Sequence, residues 1–170
     1  MVGVATHTRT VASVFAQLVL LALIAAAFFV RTPEVAGPSM EPRIHSGEFV
    51  LINTLAYRFA HIERGQIVAF HRDSPTAETY LKRVIALPGE RVSIANGVVS
   101  IDGKPLAETY VQFRDRGNVA PLVIPANSVF VLGDNRANSD DSRDFGALAT
   151  SEISGRAILR IWPPTQLGAP

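Results

Sequence analysis

The stretch RVSIANGVVSIDG, from Arg91 to Gly103, carries the clearest fold signal in this chain of 170 residues. Apolar and polar side chains alternate on both sides of Asn96-Gly97, a dipeptide that suits a type I′ turn. Alternation with a period of two is typical of strands that bury one face. The stretch therefore predicts an antiparallel hairpin.

Other short runs after residue 47 have the same character. They are rich in β-branched and aromatic residues, and they read EFVLI (48–52), QIVAF (66–70), TYLKRVIAL (79–87), SVFVL (128–132) and RAILRIW (156–162). No long amphipathic helix pattern occurs after residue 30. We therefore predict a mainly β fold class, an antiparallel β-barrel or sandwich, preceded by one amino-terminal transmembrane helix.

The transmembrane prediction rests on VASVFAQLVLLALIAAAFFV, Val11 to Val30, twenty residues without a formal charge. This is about the length that crosses roughly 30 Å of hydrocarbon as a helix. A cleavable signal peptide is the alternative, but its apolar core is usually about 7 to 15 residues long. We expect residues 1–32 to form a tail and a retained single-pass anchor in the cell membrane. Residues 33–170 then form a β-rich domain on the extracytoplasmic side, an orientation favoured by the short amino-terminal tail.

Composition excludes several classes of site. The chain has no cysteine, so it has no disulfide, thiolate metal site or cysteine nucleophile. A formal net charge of +1 gives no electrostatic reason to expect nucleic acid as a partner. Of the 16 basic residues, all are arginine except Lys82 and Lys104. Each lysine is therefore a candidate for a role that arginine cannot fill.

Lys82 lies inside the strand-like run TYLKRVIAL. Strand alternation would put Tyr80, Lys82 and Val84 on one face and Arg83 on the other. Burial among apolar side chains would lower the pKa of Lys82 and leave a neutral amine able to accept a proton. The alternative is a surface lysine whose stem covers an edge strand.

Ser39 lies between Pro38 and Met40, shortly after the apolar run. A serine hydroxyl is a weak nucleophile unless a neighbouring base takes its proton. Neither His45, His61 nor His71 has a sequence neighbourhood that marks it as a triad base. Lys82 is therefore the base that the sequence favours, if Ser39 is a nucleophile at all.

The polar stretch GDNRANSDDSRDFG, residues 133 to 146, directly follows the strand-like SVFVL. It does not fit a calcium loop, because the required sixth-position glycine is replaced by Ser139 or Phe145, depending on where the loop starts. Its hydroxyls could orient a buried lysine, with an aspartate and an arginine to brace them. A plain solvated loop is the alternative.

Taken in order, the stretches GPSMEP (37–42), RGQIVAF (64–70), YLKRVIALPGE (80–90) and GDNRANSDDSR (133–143) resemble the bacterial type I signal peptidases. These are membrane-anchored serine proteases with a Ser/Lys dyad. The resemblance implies an endopeptidase that removes signal peptides from exported preproteins at the bilayer surface, cutting after Ala-X-Ala. It implies a monomer with no cofactor, metal or nucleic acid.

The resemblance also implies roles for individual residues. Ser39 would be the nucleophile and Lys82 the general base. The Ser139 hydroxyl would bind the lysine amine, with Asp141 and Arg143 as a supporting ion pair and Arg83 nearby. The residues implied to line the pockets for small substrate side chains at P1 and P3 are Val35, Met40, Ile44, Tyr80 and Leu81.

Two departures from the family pattern concern the oxyanion hole. Gly37 stands where some members carry a hydroxyl, and Pro38, directly before the serine, has no amide hydrogen. Stabilisation of the oxyanion must then rest mainly on backbone donors such as the Ser39 amide.

Three alternatives remain open on the sequence. A self-cleaving repressor-type peptidase shares the dyad, although the apolar run argues against it. A conjugative-transfer peptidase that matures pilin is a closer relative in function. A catalytically inactive, membrane-tethered β-module that only binds a partner would not need Ser39, Lys82 and Ser139 together.

Overall fold

The computed structural model describes residues 11–21, 29–71 and 79–170. Residues 11–21 form an exposed helix, α1. The other elements are β1 (Val30–Arg31), β2 (Phe49–Asn53), α2 (Ala56–Phe59), β3 (Ile67–His71), β4 (Thr79–Ala86), β5 (Arg91–Ala95), β6 (Val98–Ile101), β7 (Lys104–Pro105), β8 (Val119–Val123), β9 (Ser128–Leu132), α3 (Ser142–Phe145), β10 (Leu148–Ala149) and β11 (Ile153–Trp162). Two single-turn 3-10 helices, Thr150–Glu152 and Pro164–Gln166, flank β11.

The strands form two sheets in which every pairing is antiparallel. The larger sheet has seven strands in the order β1-β2-β11-β3-β4-β9-β10, and the smaller has four in the order β7-β6-β5-β8. The predicted mainly antiparallel β fold is confirmed.

The predicted anchor is described only in part. Helix α1 covers its first eleven residues, 11–21, and residues 22–28 lie outside the described residues. Among the residues described, no helix combines the length and the apolar character needed to cross a membrane. The end of the predicted segment belongs to the β-domain, because Val30 pairs with Asn53 in the larger sheet. The sheet therefore begins before the boundary predicted at residue 33.

The hairpin predicted from Arg91 to Gly103 is formed by β5 and β6. Val92 pairs with Ile101 and Ala95 with Val98. The turn residues Asn96 and Gly97 have φ of 48° and 78°, the left-handed values that a type I′ turn requires.

Three clusters of buried apolar side chains fill the domain, and β3 is shared by two of them. Ile67 and Ala69 belong to the first cluster, which also holds Val35, Met40, Ile44, Val50, Ile52, Leu81 and Ala157. Val68 and Phe70 belong to the third, with Val84, Val129, Val131 and Leu148. The second cluster joins the smaller sheet to β4 and β9 through Ile85, Ala86, Val92, Ile94, Val99, Ile124, Phe130 and Leu132. Strands β3 and β4 are thus buried on both faces and form a rigid base for the site.

Candidate active site

Ser39 lies in a run of turns between β1 and β2 that is fixed from two sides. On one side, the Val35 amide donates a hydrogen bond to the Glu48 carbonyl at 2.8 Å. Met40, the residue after Ser39, packs in the first cluster, and its side chain is 1% exposed. On the other side, the Ser39 carbonyl accepts a hydrogen bond from the Asn135 amide at 3.0 Å. Ser39 itself is half-buried. Its backbone is therefore held between the core and the polar loop 133–143.

Lys82 lies in β4 on the face that alternation predicted. Val68 is directly opposite Lys82 on β3, and Phe70 is opposite Tyr80. Directly opposed residues of antiparallel strands project to the same face. Lys82 therefore shares its face with the apolar side chains of the third cluster, and it is only 3% exposed.

The structure brings Ser39 and Lys82 together. The lysine Nζ lies 2.7 Å from the serine Oγ, a hydrogen-bond distance. Desolvation lowers the pKa of Lys82 to about 8, although the Asp141 and Asp140 carboxylates act in the opposite direction. The salt bridges of the described residues do not include Lys82. An amine in this position can give up its proton near neutral pH and accept one from the hydroxyl.

Gly133 explains how closely the polar loop approaches the serine. A Cβ at this position would lie 2.3 Å from the Ser139 Oγ and 2.5 Å from the Ser39 carbonyl oxygen. Both distances are too short for real atoms, so any larger residue must displace the loop or the serine backbone. The sequence indicated a polar loop but gave no sign of this contact.

Ser139 lies against Gly133 in this loop. Its Oγ is buried, and its interaction with the Asp141 carboxylate helps to hold the pKa of Asp141 low. The contact predicted between this hydroxyl and the Lys82 amine is not formed in this structure and stays a prediction.

Asp141 and Arg143 form an ion pair with two parallel contacts, Nε to Oδ1 at 2.8 Å and Nη2 to Oδ2 at 2.9 Å. Burial alone would raise the pKa of Asp141, but the hydrogen bonds from Arg143 and from the Gly133 amide outweigh it and hold that pKa low. Arg143 also donates to the Asp115 carboxylate at 2.6 Å. Asp141 is the N-cap of α3 as well, and it accepts a hydrogen bond from the Gly133 amide at 3.0 Å, so this carboxylate ties the two ends of the loop together.

Arg83 points away from Lys82 and has its own carboxylate partner. Its guanidinium binds both oxygens of Asp134, at 2.8 and 2.6 Å, and the two side chains are 8% and 0% exposed. It also donates to the Gly65 carbonyl at 2.7 Å and stacks over the Tyr110 ring at 4.4 Å. The sequence placed Arg83 near the site but did not identify Asp134.

A second buried pair, Arg136 with Glu108, was also missed. The side chains are 2% and 1% exposed, and the pair links the polar loop to the segment before β8. Nothing in the local pattern around Glu108 indicates a buried carboxylate.

A groove of about 400 Å³ opens beside Ser39 and Lys82. Its lining consists of Pro33, Glu34, Val35, Ala36, Ser39, Met40, Thr79, Tyr80, Leu81, Lys82 and Asp140. Four of the five predicted pocket residues are in this lining. The fifth, Ile44, is not: it is fully buried and packs beneath the groove in the first cluster.

Gly37 takes no part in the groove lining. Its φ of 81° is left-handed, and its amide donates to the Ser46 hydroxyl at 3.3 Å. Among the described residues, no hydrogen bond uses the Ser39 amide. Of these two backbone groups, the Ser39 amide is therefore the one available to a ligand in the groove.

A family model and two relatives of similar sequence point to the same family. The family model described as signal peptidase, peptidase S26, matches residues 8–162. The chain is 38% identical to a signal peptidase I of Leptolyngbya laminosa over 157 residues, covering 88% of this chain and 77% of that protein. It is 35% identical to the signal peptidase IB of Staphylococcus aureus, covering 79% and 80% of the two chains. A solved signal peptidase I from Enterococcus faecalis V583 is 32% identical, with a TM-score of 0.48 over 57% of this chain and 97% of that one.

Proposed function

This chain belongs to the signal peptidase family, peptidase S26, and we propose that it removes signal peptides from preproteins with Ser39 as nucleophile and Lys82 as general base. The observation that carries the proposal is the 2.7 Å contact between the Lys82 amine and the Ser39 hydroxyl. A lysine that is 3% exposed and has a hydroxyl as its partner is in the right state to act as a base.

The chemistry follows from that contact. Neutral Lys82 accepts the Ser39 proton while the oxygen attacks the scissile carbonyl, and the resulting ammonium gives this proton to the departing amine. The product is an ester of Ser39 with the signal peptide. Lys82, neutral again, then takes a proton from water as the water attacks the ester, and it returns that proton to Ser39. No histidine or metal is needed in these steps.

Oxyanion stabilisation is assigned to the backbone. The Ser39 amide is unused by other described groups, and it belongs to the residue that attacks. A donor of this kind is fixed before the reaction begins, so it can stabilise the developing negative charge without rearrangement. The hydroxyl that some relatives carry at position 37 is then not required.

Specificity for Ala-X-Ala follows from the groove wall. Val35, Met40, Tyr80 and Leu81 line it, and Met40 is held in place by its burial at 1% exposure. An extended substrate presents alternate side chains to one wall, so P1 and P3 meet these residues while P2 points away. Small residues at P1 and P3 are therefore preferred.

The proposed setting is the outer surface of the cell membrane. The chain before β1 is assigned to a retained single-pass anchor, and the domain that begins with β1 at Val30 is assigned to the extracytoplasmic side, where it acts as a monomer on preproteins at the bilayer. Only eight residues, 31–38, separate the apolar run from Ser39. So short a tether keeps the serine at the depth where a cleavage site leaves the lipid.

The test is incubation of the full-length protein, in detergent, with a preprotein, followed by sequencing of the new amino terminus. We expect cleavage directly after Ala-X-Ala. Ser39→Ala and Lys82→Ala should each abolish it, whereas Lys104→Ala, a change at an exposed lysine of β7, should not. Binding without cleavage would instead support the inactive tethered module. Cleavage of a pilin precursor alone would support the conjugative-transfer peptidase.

A further inference from the structure

A second cavity, of about 340 Å³, lies beside the groove. Pro33 and Thr79 line both the groove and this cavity, so the two are adjacent. The catalytic pair lines only the groove, whereas Arg31 and His71 line only the second cavity. The second cavity therefore extends the groove in the direction away from the catalytic pair.

The extended segment that leads to Ser39 connects the two cavities along one face. Arg31 is directly opposite Ile52 on β2, and both Ile52 and Val35 belong to the first cluster. Directly opposed residues project to the same face, and alternation adds every second residue, so Arg31, Pro33 and Val35 share that face. Val35 lines the groove, Pro33 lines both cavities and Arg31 lines the second one. Successive side chains on this face are about 6.6 Å apart along the segment.

An extended substrate has the same spacing between the side chains that it presents to this face. P1 and P3 meet the apolar wall that includes Val35 and Leu81. Both wall residues lie between the catalytic pair and the boundary formed by Pro33 and Thr79, so the residues before P3 extend towards that boundary. P5, two residues before P3, is the next side chain that faces the enzyme, and it meets the second cavity.

The lining of the second cavity carries a positive charge and no negative one. Arg31 is exposed and takes part in none of the salt bridges of the described residues. None of the described residues that line this cavity is acidic, and Glu34 lines the groove but not the cavity. The His71 ring lies 3.1 Å from the Thr79 hydroxyl, a contact that holds the ring beside the cavity. A guanidinium in this setting can bind a carboxylate in two-point contact.

We propose that the second cavity is a subsite for the substrate side chain at P5, and that Arg31 makes this subsite favour glutamate or aspartate over lysine or arginine. This inference rests on the proposed function. P5 differs from P1 and P3 because a cavity of about 340 Å³ accepts a long side chain. The small residues at P1 and P3 determine where cleavage occurs, and the charge at P5 determines how fast different preproteins are cut.

The expected size of the effect is that of a solvent-exposed charge pair, because Arg31 is exposed. Such pairs contribute little in water, which corresponds to about a two- to five-fold change in rate for each unit of charge. The preference should weaken as salt is raised, because about 1 M salt reduces the screening length to roughly 3 Å. A preference that salt does not weaken would come from side-chain shape and would contradict the role of Arg31.

The experiment uses Ala-X-Ala peptides that are identical except for glutamate, glutamine or lysine at P5, and a second set with the same three residues at P4, which points away from the cavity. We would measure kcat/KM at low salt, in neutral detergent, for the full-length protein and for Arg31→Gln and Arg31→Glu. Arg91→Gln is the matched control, because it removes the same charge from an exposed residue of β5 that lines neither cavity. Ratios between peptides are taken within one enzyme, so a general change in activity cancels.

In the unsubstituted protein, we expect peptides with glutamate at P5 to be cut about two to five times faster than those with glutamine, and those faster than the lysine peptides by the same factor. Arg31→Gln should bring both ratios close to one, Arg31→Glu should reverse them, and Arg91→Gln should leave them unchanged. Ratios at P4 should be close to one in every enzyme.

Equal rates for the three P5 peptides in the unsubstituted protein would overturn the inference. A P5 preference that survives in Arg31→Gln would overturn it too, and so would a preference of the same size at P4. Failure to cut any of the glutamine peptides would overturn the proposed function itself, and the P5 subsite with it.

Discussion

Lys82 and Arg83 are adjacent on one strand, both are cationic residue types, and both are buried, at 3% and 7% exposure. The two side chains differ in their hydrogen-bond partners. Arg83 binds both oxygens of Asp134, whereas Lys82 contacts the neutral Ser39 hydroxyl. Burial alone therefore does not determine the charge of a basic residue, because its partner decides whether the charge is kept.

The physical basis of this difference is the cost of removing a charge from water. A buried cation without a counterion reduces that cost by releasing its proton, so desolvation lowers the pKa of Lys82 to about 8. A buried cation with a carboxylate in two-point contact keeps its charge, and guanidinium does not deprotonate in proteins. Strand alternation makes the contrast possible, since it sends neighbouring side chains to opposite faces.

Lys82→Arg should have the largest effect, because it gives position 82 the permanent charge of position 83. Arginine cannot accept the serine proton, so kcat/KM on an Ala-X-Ala peptide should fall by about 10²- to 10⁴-fold. Circular dichroism should show that the fold is retained. Turnover near that of the unsubstituted protein would mean that Lys82 is not the base.

Arg83→Met should cost stability. It leaves the fully buried Asp134 carboxylate without its cation, and removing one member of a buried pair typically costs about 3–5 kcal/mol. Chemical denaturation would measure the free energy of unfolding. Lys82→Met is the matched control, since it removes a buried amine that has no carboxylate partner in the described salt bridges. Equal destabilisation by both substitutions would contradict the comparison.

Gly133→Ala tests the contact that holds Ser39 beside Lys82. The new methyl group would overlap the Ser39 carbonyl oxygen and the Ser139 hydroxyl, so the serine or the loop must move. A displacement of about 1 Å can cost roughly 10²-fold in rate, and we expect a loss of kcat/KM of that order. Ala137→Ser, at an exposed position of the same loop, is the control and should retain activity.

Features with a local period were predictable from the sequence. The hairpin at Asn96-Gly97 and the burial of Lys82 beside Tyr80 both follow from alternation along a strand, so a short window contains the information. The pairing of Ser39 with Lys82 was favoured by the lack of another candidate base and implied by the resemblance, but no local pattern relates two residues that are 43 positions apart.

The features that could not be predicted depend on how segments distant in sequence pack against one another. Asp134 is 51 positions from Arg83, and Glu108 is 28 positions from Arg136, so neither pair leaves a local pattern. Ile44 was expected in the groove, but the turns after Ser39 direct it into the core, and turns have no period from which a face can be inferred. The start of the sheet at Val30 likewise depends on backbone pairing that hydropathy does not reveal.

The pH dependence of kcat/KM should give the smallest effect, and it tests most directly whether Lys82 is the titrating base. A general base works in its unprotonated form, so kcat/KM should rise as the pH increases through about 8, the lowered pKa of Lys82. Asp140→Asn removes a carboxylate that raises the pKa of Lys82, so the acid limb of the profile should move to lower pH. The matched substitution Glu152→Gln should leave the limb in place, because Glu152 is exposed outside the groove lining. A limb that stays in place in Asp140→Asn, or moves to higher pH, would show that the titrating group is not the Lys82 amine beside the groove.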